Sequence, residues 1–308
     1  MRKKFLIKLL IFLILFLLID NGIFLALRKG LNKYYGFGKN SEILIIGSSV
    51  SIAGYYIPLL QSALNMKVAL YAQIGASLEL RYVMLNHFLK SNTGKVKIVL
   101  YEVSPIMLSY KGLATNGYKL LYPYMEDSVI NNYIVTKEAR LSNYIMHKYI
   151  KTSRFDNHLL KYSFLGYLGF YSNVKNLIID TATIAKLRNK ERLEHILLDS
   201  LKIKTIEQSI HLIHENNAHT ILINFPMTNF LKNSYFKDDY DQYLSFLQGL
   251  VKKFPDVSFI DLNINEFNDY HMFSDEVHLN TKGQKKFTEA ICSELKQLRR
   301  KYPSTTTQ

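Results

Sequence analysis

Cysteine is nearly absent from this sequence: Cys292 is the only cysteine among 308 residues. A single cysteine excludes an intramolecular disulfide and any zinc site built from a cysteine cluster. The fold must therefore be stabilised by its hydrophobic core. Hydrophobic residues make up 48% of the chain and charged residues 21%, a globular composition, and the length suits one large domain or two small ones.

Acidic residues are also scarce, with 25 Asp+Glu against 39 Lys+Arg and a formal charge of +14. Half of that excess lies in residues 1–40, where eight basic residues stand against a single acid, Asp20. The rest of the chain has no block of five or more like charges, so nucleic acid is not predicted as a partner. Proximity to an anionic membrane surface explains the charge better.

A long, predominantly apolar run lies near the start of the chain. Residues 5–27 follow three basic residues and are numerous enough to cross a hydrocarbon core of about 30 Å as a helix. We find no convincing small-residue cleavage site and no lipobox cysteine, so the run predicts an uncleaved transmembrane anchor rather than a signal peptide. Asp20 lies inside the run, and we expect it near the outer headgroups, where a carboxylate is tolerated.

The orientation of this anchor is weakly encoded, because basic residues also follow the run and leave the positive-inside count undecided. A short basic N-terminus, residues 1–4, usually stays cytoplasmic. This predicts a single-pass protein of the cell membrane with its large domain on the exocytoplasmic side.

Beyond a linker, residues 28–41, short apolar runs alternate with segments of helical spacing. Such alternation predicts a doubly wound, flavodoxin-like parallel sheet covered on both faces, within an α/β domain of residues 42–298. The predicted strands are 42–47, 67–71, 96–103, 219–225 and 257–262, and the predicted helices are 55–64, 77–90, 201–216, 238–253 and 281–298.

The alternation is interrupted between about 105 and 200, which predicts a mostly helical insertion. This segment carries many of the 22 tyrosines. Their aromatic faces suit either a carbohydrate-binding lid or ordinary packing of helices against the core. Residues 299–308 are predicted to form a polar tail.

Candidate catalytic residues follow the predicted strands, because sites in open α/β sheets form at the carboxyl ends of strands. Ser49 lies in the small-residue turn after the first strand, and Gly75 lies in a glycine turn after the second. Asp275 and His278 stand near the C-terminus, and their spacing of three lets the carboxylate reach the imidazole across one turn. A serine nucleophile needs such a base and orienting acid. The alternative is that Ser49 only caps a helix and the other two form a surface pair.

The sequence here resembles the SGNH hydrolase family, also called GDSL lipases and esterases. Gly47-Ser48-Ser49 is similar to its Gly-Asp-Ser block, Gly75 to its second-block glycine, and Asp275-x-x-His278-Leu279-Asn280 to its final block. The resemblance implies Ser49 as nucleophile, His278 as base and Asp275 as its orienting acid. It also implies that the N–H groups of Ser49 and Gly75 act as oxyanion donors.

Two positions depart from the family pattern. Ser48 replaces the first-block aspartate, and the third-block Gly-x-Asn-Asp is absent from the strand ending at 101–105. The missing asparagine normally supplies an oxyanion donor, for which Ser104 is a substitute candidate. Membrane-anchored relatives in cell-surface polysaccharide acetylation show similarly relaxed blocks, and the chain resembles that branch.

The resemblance predicts a membrane-anchored esterase or O-acetyltransferase that acts on a cell-envelope glycan through an acyl-serine intermediate. Its expected partners are the membrane, the glycan and a second membrane protein that takes part in acyl transfer. A non-catalytic subunit of the same fold and a lipase are the alternatives. No cofactor or metal is predicted, because the other histidines, including His211 and His214, lack paired carboxylates at metal-ligand spacing.

Overall fold

The computed structural model describes residues 2–108, 115–169, 178–180, 182–183, 194–263, 267 and 269–301. The chain forms two compact units. The first consists of Met1–Gly38 and Asn116–Ser172, and the second of Lys39–Thr115 and Asn173–Gln308. The middle of the predicted insertion thus belongs to the same unit as the N-terminal helix.

A five-stranded sheet forms the centre of the second unit, and every pair of neighbouring strands is parallel. Its order is β2-β1-β3-β4-β5. The strands are β1 Ile43–Gly47, β2 Val68–Ala72, β3 Ile98–Glu102, β4 His219–Asn224 and β5 Val257–Asp261. All five predicted strands are present, and the predicted doubly wound α/β class is confirmed.

Helices separate the strands along the chain. In chain order they are α1 Arg2–Tyr35, α2 Ser49–Gly54, α3 Ile57–Leu64, α4 Leu78–Ser91, α5 Ser128–Lys137, α6 Leu141–Tyr149, α7 Asn157–Leu168, α8 Ser200–Glu215, α9 Asn229–Lys232, α10 Lys237–Lys253 and α11 Thr281–Lys301. Short 3-10 helices cover Pro105–Met107, Thr115–Tyr124, Lys151–Arg154 and Tyr270–Met272. The described part of the segment 105–200 is mostly helical, as predicted.

The burial of the strands explains why they appear in the sequence as unbroken apolar runs. All residues of β1 and β2 are buried, since helices cover both faces of a parallel sheet. The register pairs Gly47 with Ala72, and Glu102 with Ile223, so the carboxyl ends of the first four strands lie at one edge. The turns that leave this edge carry the candidate site.

In the first unit the second half of α1 packs closely against α7. A Cβ added to Gly166 would lie 2.0 Å from the carbonyl oxygen of Gly30, so the two backbones touch at these glycines. Tyr34 and Tyr162 stack beside this crossing with ring centroids 4.6 Å apart. Of the described tyrosines in the insertion, those at 118, 122, 124 and 162 are buried, as helix packing predicts, whereas those at 149 and 167 are exposed.

The first half of α1 is exposed, and this helix is long and apolar enough to cross a membrane by length and composition. Every residue from 3 to 19 is exposed, and the predicted span 5–27 also has exposed residues beyond Asp20, such as Ile23 and Leu25. Asp20 is buried and accepts hydrogen bonds from the N–H groups of Lys151 and Thr152, at 2.7 Å and 2.9 Å. Its carboxylate is therefore hydrogen-bonded to protein, and its position near the outer headgroups stays a prediction.

Candidate active site

The turn between β1 and α2 carries the predicted nucleophile. Ser48 is the N-cap of α2, and its hydroxyl oxygen accepts a hydrogen bond from the N–H of Val50 at 3.3 Å. Ser49 is therefore the first residue of the helix, and Gly47 is the last residue of the strand. This connection places Ser49 at the edge of the sheet where the strands end.

A short loop before α11 carries the predicted base and its acid. Asp275 Oδ1 accepts hydrogen bonds from the N–H groups of Val277 at 2.9 Å and His278 at 2.8 Å. Asp275 Oδ2 lies 2.7 Å from His278 Nδ1. The loop closes again where the N–H of Ser274 donates to the carbonyl of His278 at 2.9 Å. These bonds orient the imidazole and leave Nε2 on the side away from the carboxylate.

Ser49 Oγ lies 2.7 Å from His278 Nε2, although 229 positions separate the two residues in the chain. One imidazole therefore bridges the Ser49 hydroxyl and the Asp275 carboxylate. In such an arrangement the ring can accept the hydroxyl proton while the carboxylate stabilises the imidazolium that forms. The structure brings the three residues together in the order that acyl transfer to serine requires.

Solvent reaches this group, since the side chain of His278 is 29% exposed and that of Asp275 is 51% exposed. Burial raises the pKa of Asp275, but the hydrogen bond and charge of His278, together with two backbone N–H groups, outweigh burial and hold that pKa below its ordinary value. Asp275 is therefore ionised at neutral pH.

A buried carboxylate lies behind the nucleophile turn. Glu102 ends β3, and its side chain has no exposed surface. Its Oε2 accepts hydrogen bonds from the N–H of Ser48 and the hydroxyl of Ser51, both at 2.7 Å. Its Oε1 accepts the hydroxyl of Ser48 at 2.8 Å. Glu102 therefore holds residues on both sides of Ser49.

Arg81 of α4 supplies the charge that compensates this carboxylate. Its side chain is also fully buried, and Nη2 donates to Glu102 Oε1 at 3.0 Å. Nη1 donates to the carbonyl of Glu102 at 2.9 Å, and Nε donates to the carbonyl of Ala76 at 3.1 Å. Burial raises the pKa of Glu102, but the Arg81 charge and the serine hydrogen bonds outweigh it and lower that pKa. The pair connects the turns that follow β1, β2 and β3.

Gly47 allows the Glu102 carboxylate to lie close to the turn between β1 and α2. A Cβ at this position would lie 1.9 Å from Ser51 Oγ and 2.6 Å from Glu102 Oε2. Neither group can move away freely, because the two are hydrogen-bonded to each other. The glycine is required here by close packing.

The other predicted oxyanion residues lie in neighbouring turns. Gly75 has a φ of 69° in the turn after β2, where the N–H of Ala76 donates to the carbonyl of Gln73 at 3.1 Å. Ser104 is buried, and its hydroxyl donates to Glu102 Oε1 at 3.2 Å. A serine hydroxyl has one proton, so in this arrangement Glu102 receives it. Oxyanion roles for Gly75 and Ser104 stay predictions.

Comparisons with known proteins add a coarse similarity. No family model matches the chain, and no curated protein matches it. The chain is similar to solved acylhydrolases of the SGNH/GDSL type. A GDSL-like lipase from Bacteroides thetaiotaomicron is 9% identical, with 84% of this chain and 90% of that chain covered and a TM-score of 0.41.

Two further solved structures that are similar to this chain are an O-acetyltransferase domain and an acetyl esterase. The catalytic domain of peptidoglycan O-acetyltransferase A from Streptococcus pneumoniae is 14% identical, with coverage of 84% of this chain and 95% of that chain and a TM-score of 0.38. An acetyl xylan esterase, AlAXEase, is 12% identical, with coverage of 82% and 98% and a TM-score of 0.44. Those activities belong to the matched proteins.

Sequence reasoning from the SGNH/GDSL motifs missed Glu102 and Arg81. A signal was present, because each charge interrupts an apolar pattern, Glu102 in the run 96–103 and Arg81 in α4. A charge at a core position needs a partner of opposite sign. Among the residues that the structure describes, no group of three or more His, Cys, Asp or Glu side chains could hold a metal ion.

Proposed function

We propose that this protein is a serine acyl-transfer enzyme with Ser49 as nucleophile, His278 as general base and Asp275 as the acid that orients the base. The observation that carries the proposal is the pair of 2.7 Å contacts on the two nitrogens of His278, one to Ser49 Oγ and one to Asp275 Oδ2. A serine that only capped a helix would not need a histidine on its hydroxyl.

In the first half-reaction Ser49 Oγ attacks the carbonyl carbon of an ester, and its proton passes to His278 Nε2. The tetrahedral intermediate then expels the alcohol, which takes the proton back from His278 as the C–O bond breaks. The product is acyl-Ser49. Asp275, ionised at neutral pH, stabilises the imidazolium in both steps and fixes the tautomer with hydrogen on Nδ1.

In the second half-reaction an acceptor hydroxyl attacks the acyl carbon while His278 Nε2 removes its proton; the bond from the acyl carbon to Ser49 Oγ then breaks, and Ser49 Oγ takes that proton from His278. Water as acceptor gives hydrolysis, whereas a sugar hydroxyl gives transfer, so one site serves both outcomes. We propose the N–H groups of Ser49 and Gly75 as donors to the oxyanion, following the motif resemblance. Each such donor contributes about 10²–10³ in turnover in serine hydrolases.

We further propose that α1 anchors the enzyme in the cell membrane, with the acyl-transfer domain outside and an acylated envelope glycan as substrate. Residues 5–19 are exposed, as are Ile23 and Leu25, and the 21 residues from Phe5 to Leu25 extend about 32 Å at 1.5 Å per residue. This is close to the hydrocarbon thickness of about 30 Å. Lys3 and Lys4 precede the apolar segment and suit a cytoplasmic leaflet.

The full chain, purified in detergent, tests the proposed activity through hydrolysis of p-nitrophenyl acetate. The wild type should release p-nitrophenol, and Ser49→Ala should reduce the rate to that of buffer. Ser62→Ala is the matched control, because Ser62 is exposed and donates to its own helix at Leu59. Equal rates for Ser49→Ala and an active control would contradict Ser49 as the nucleophile. A folded wild type that releases no p-nitrophenol above the buffer rate would favour a non-catalytic subunit of the same fold.

A further inference from the structure

A small apolar pocket adjoins the proposed nucleophile. Its lining includes Val50, Ser104, Phe225, Leu231, Tyr235 and Val277. Val50 follows Ser49 in the chain and Val277 precedes His278, so two of the lining residues are chain neighbours of the proposed nucleophile and base. The pocket has a volume of about 10 Å³, which leaves room for one small group.

Two of these lining residues carry hydroxyl groups, and their situations differ. The Ser104 hydroxyl is committed to Glu102 at 3.2 Å. Tyr235 is 4% exposed, and its hydroxyl has no hydrogen-bond partner among the described residues. An unsatisfied buried hydroxyl lowers stability, and a ligand-binding site is one place where a native structure retains such a group.

Tyr235 is suited to donate rather than accept a proton. Burial, followed by the charges of Glu194 and Glu276, raises the pKa of its phenol above the ordinary value. The phenol is therefore protonated at neutral pH. It can donate to a carbonyl or ether oxygen, which are the acceptors that an ester offers.

We propose that Tyr235 is a substrate-binding residue, whose hydroxyl donates a hydrogen bond to an oxygen of the ester, and that the pocket beside it admits only short acyl groups. This inference rests on the proposed serine acyl-transfer function and deepens it. The apolar lining would hold the acyl carbon chain. The Tyr235 hydroxyl would donate a hydrogen bond to an ester oxygen and so orient the substrate in the pocket.

Tyr235→Phe separates this role from a structural one. Because the hydroxyl has no partner in the free protein, its removal should leave the urea midpoint equal or higher, while kcat/KM for p-nitrophenyl acetate falls about tenfold. Tyr243→Phe is the matched control for stability. Tyr243 is also fully buried, but its hydroxyl donates to the Val103 carbonyl and contacts Asn224, so its loss should lower the midpoint.

Acyl length provides the second test, measured on the full chain in detergent with p-nitrophenyl acetate, butyrate and hexanoate. We expect the wild type to lose at least about tenfold in kcat/KM from acetate to hexanoate. Leu231→Ala should enlarge the pocket and so reduce the ratio of kcat/KM between acetate and hexanoate. The Leu231 side chain is half-buried, so it can be shortened without opening a cavity in the hydrophobic core.

Labelling of Ser49 by a fluorophosphonate in the same preparations distinguishes the two proposals. If Ser49 is labelled but Tyr235→Phe keeps full activity, or hexanoate reacts as fast as acetate, the pocket proposal is overturned and the serine mechanism stands. If Ser49 is not labelled and no ester is hydrolysed, both are overturned. Reduced activity of Tyr235→Phe at an unchanged or higher midpoint supports the pocket proposal.

Discussion

The carboxylate of Glu102 accepts the hydroxyl proton of Ser48 at 2.8 Å and so holds the turn before the proposed nucleophile. Ser48 stands where the resembled family has an aspartate. Strands β1 and β3 are neighbours, so the end of β3 lies beside that turn. A carboxylate is thus present at this place in the fold, but it comes from another strand and is compensated by Arg81.

We predict that Glu102→Gln lowers the free energy of unfolding by about 3–5 kcal/mol, because it leaves the buried guanidinium of Arg81 without its charge partner. Urea titration followed by circular dichroism measures this difference. Asp241→Asn is the control, because the side chains of the Lys237–Asp241 pair are 86% and 55% exposed and its loss should leave the urea midpoint nearly unchanged. Equal effects of the two substitutions would contradict a stabilising role for the buried pair.

The same carboxylate predicts a dependence of stability on pH. The pKa of Glu102 is lower in the folded protein than in the unfolded chain. Its contribution is therefore fully present above the unfolded value of about 4.3 and is lost as pH falls through the folded value. Between pH 5 and pH 3 the wild type should lose more stability than Glu102→Gln. If the unfolding midpoints of the two proteins fell by equal amounts over that pH range, the lowered pKa of Glu102 would be contradicted.

Asp275→Asn should reduce ester turnover by about 10²–10⁴ while leaving the protein folded. The amide oxygen can still accept the N–H groups of Val277 and His278, so the loop keeps its shape. The amide cannot stabilise an imidazolium, and its NH₂ group favours the wrong histidine tautomer. Steady-state kinetics beside a thermal melt check both parts. If the melting temperature of Asp275→Asn fell so far that unfolding accounted for the lost rate, a structural role would be indicated instead.

Gly47→Ala should displace the nucleophile turn, because its Cβ would overlap Ser51 Oγ and crowd Glu102. We expect a loss of about 1–3 kcal/mol in stability together with a loss of turnover. Gly249→Ala is the opposite case, because Gly249 lies inside α10 and, among the described residues beyond its chain neighbours and its own helix backbone, no atom lies within 4 Å of the added Cβ. That substitution should stabilise the helix by about 0.5–1 kcal/mol without changing turnover. Urea titration and the acetate assay measure both variants.

The sheet could be predicted from the sequence because its strands are buried on both faces and appear as unbroken apolar runs. Predicted and observed strand ends differ by one or two residues, as at 96–103 against Ile98–Glu102. The meeting of Ser49 with His278 was also predictable in outline, since turns at the carboxyl ends of parallel strands share one edge. Their hydrogen-bond distance depends on the packing of α11 and its loop, which no local pattern encodes.

Other features could not be predicted from the sequence, for identifiable physical reasons. Glu102 and Arg81 are separated by 21 positions on a strand and a helix, and only the tertiary fold shows that they pair. The apolar run 5–27 looks uniform in sequence, yet Phe24 is buried against protein whereas Ile23 and Leu25 on either side of it are exposed. Hydrophobicity alone does not distinguish a lipid-facing position from a helix-facing one. The predicted tail at 299–308 lies mostly outside the described residues.

The most direct test of the account is fluorophosphonate labelling of the full chain in detergent, with the modified peptide identified by mass spectrometry. We expect a single adduct on Ser49, lost in Ser49→Ala and strongly slowed in His278→Ala. His271→Ala is the matched control, because His271 also pairs with an aspartate, Asp269, at 2.8 Å but lies outside the proposed triad. This variant should label at the wild-type rate. A folded wild-type chain that takes up no label at Ser49, or labels equally without His278, would contradict the proposed mechanism.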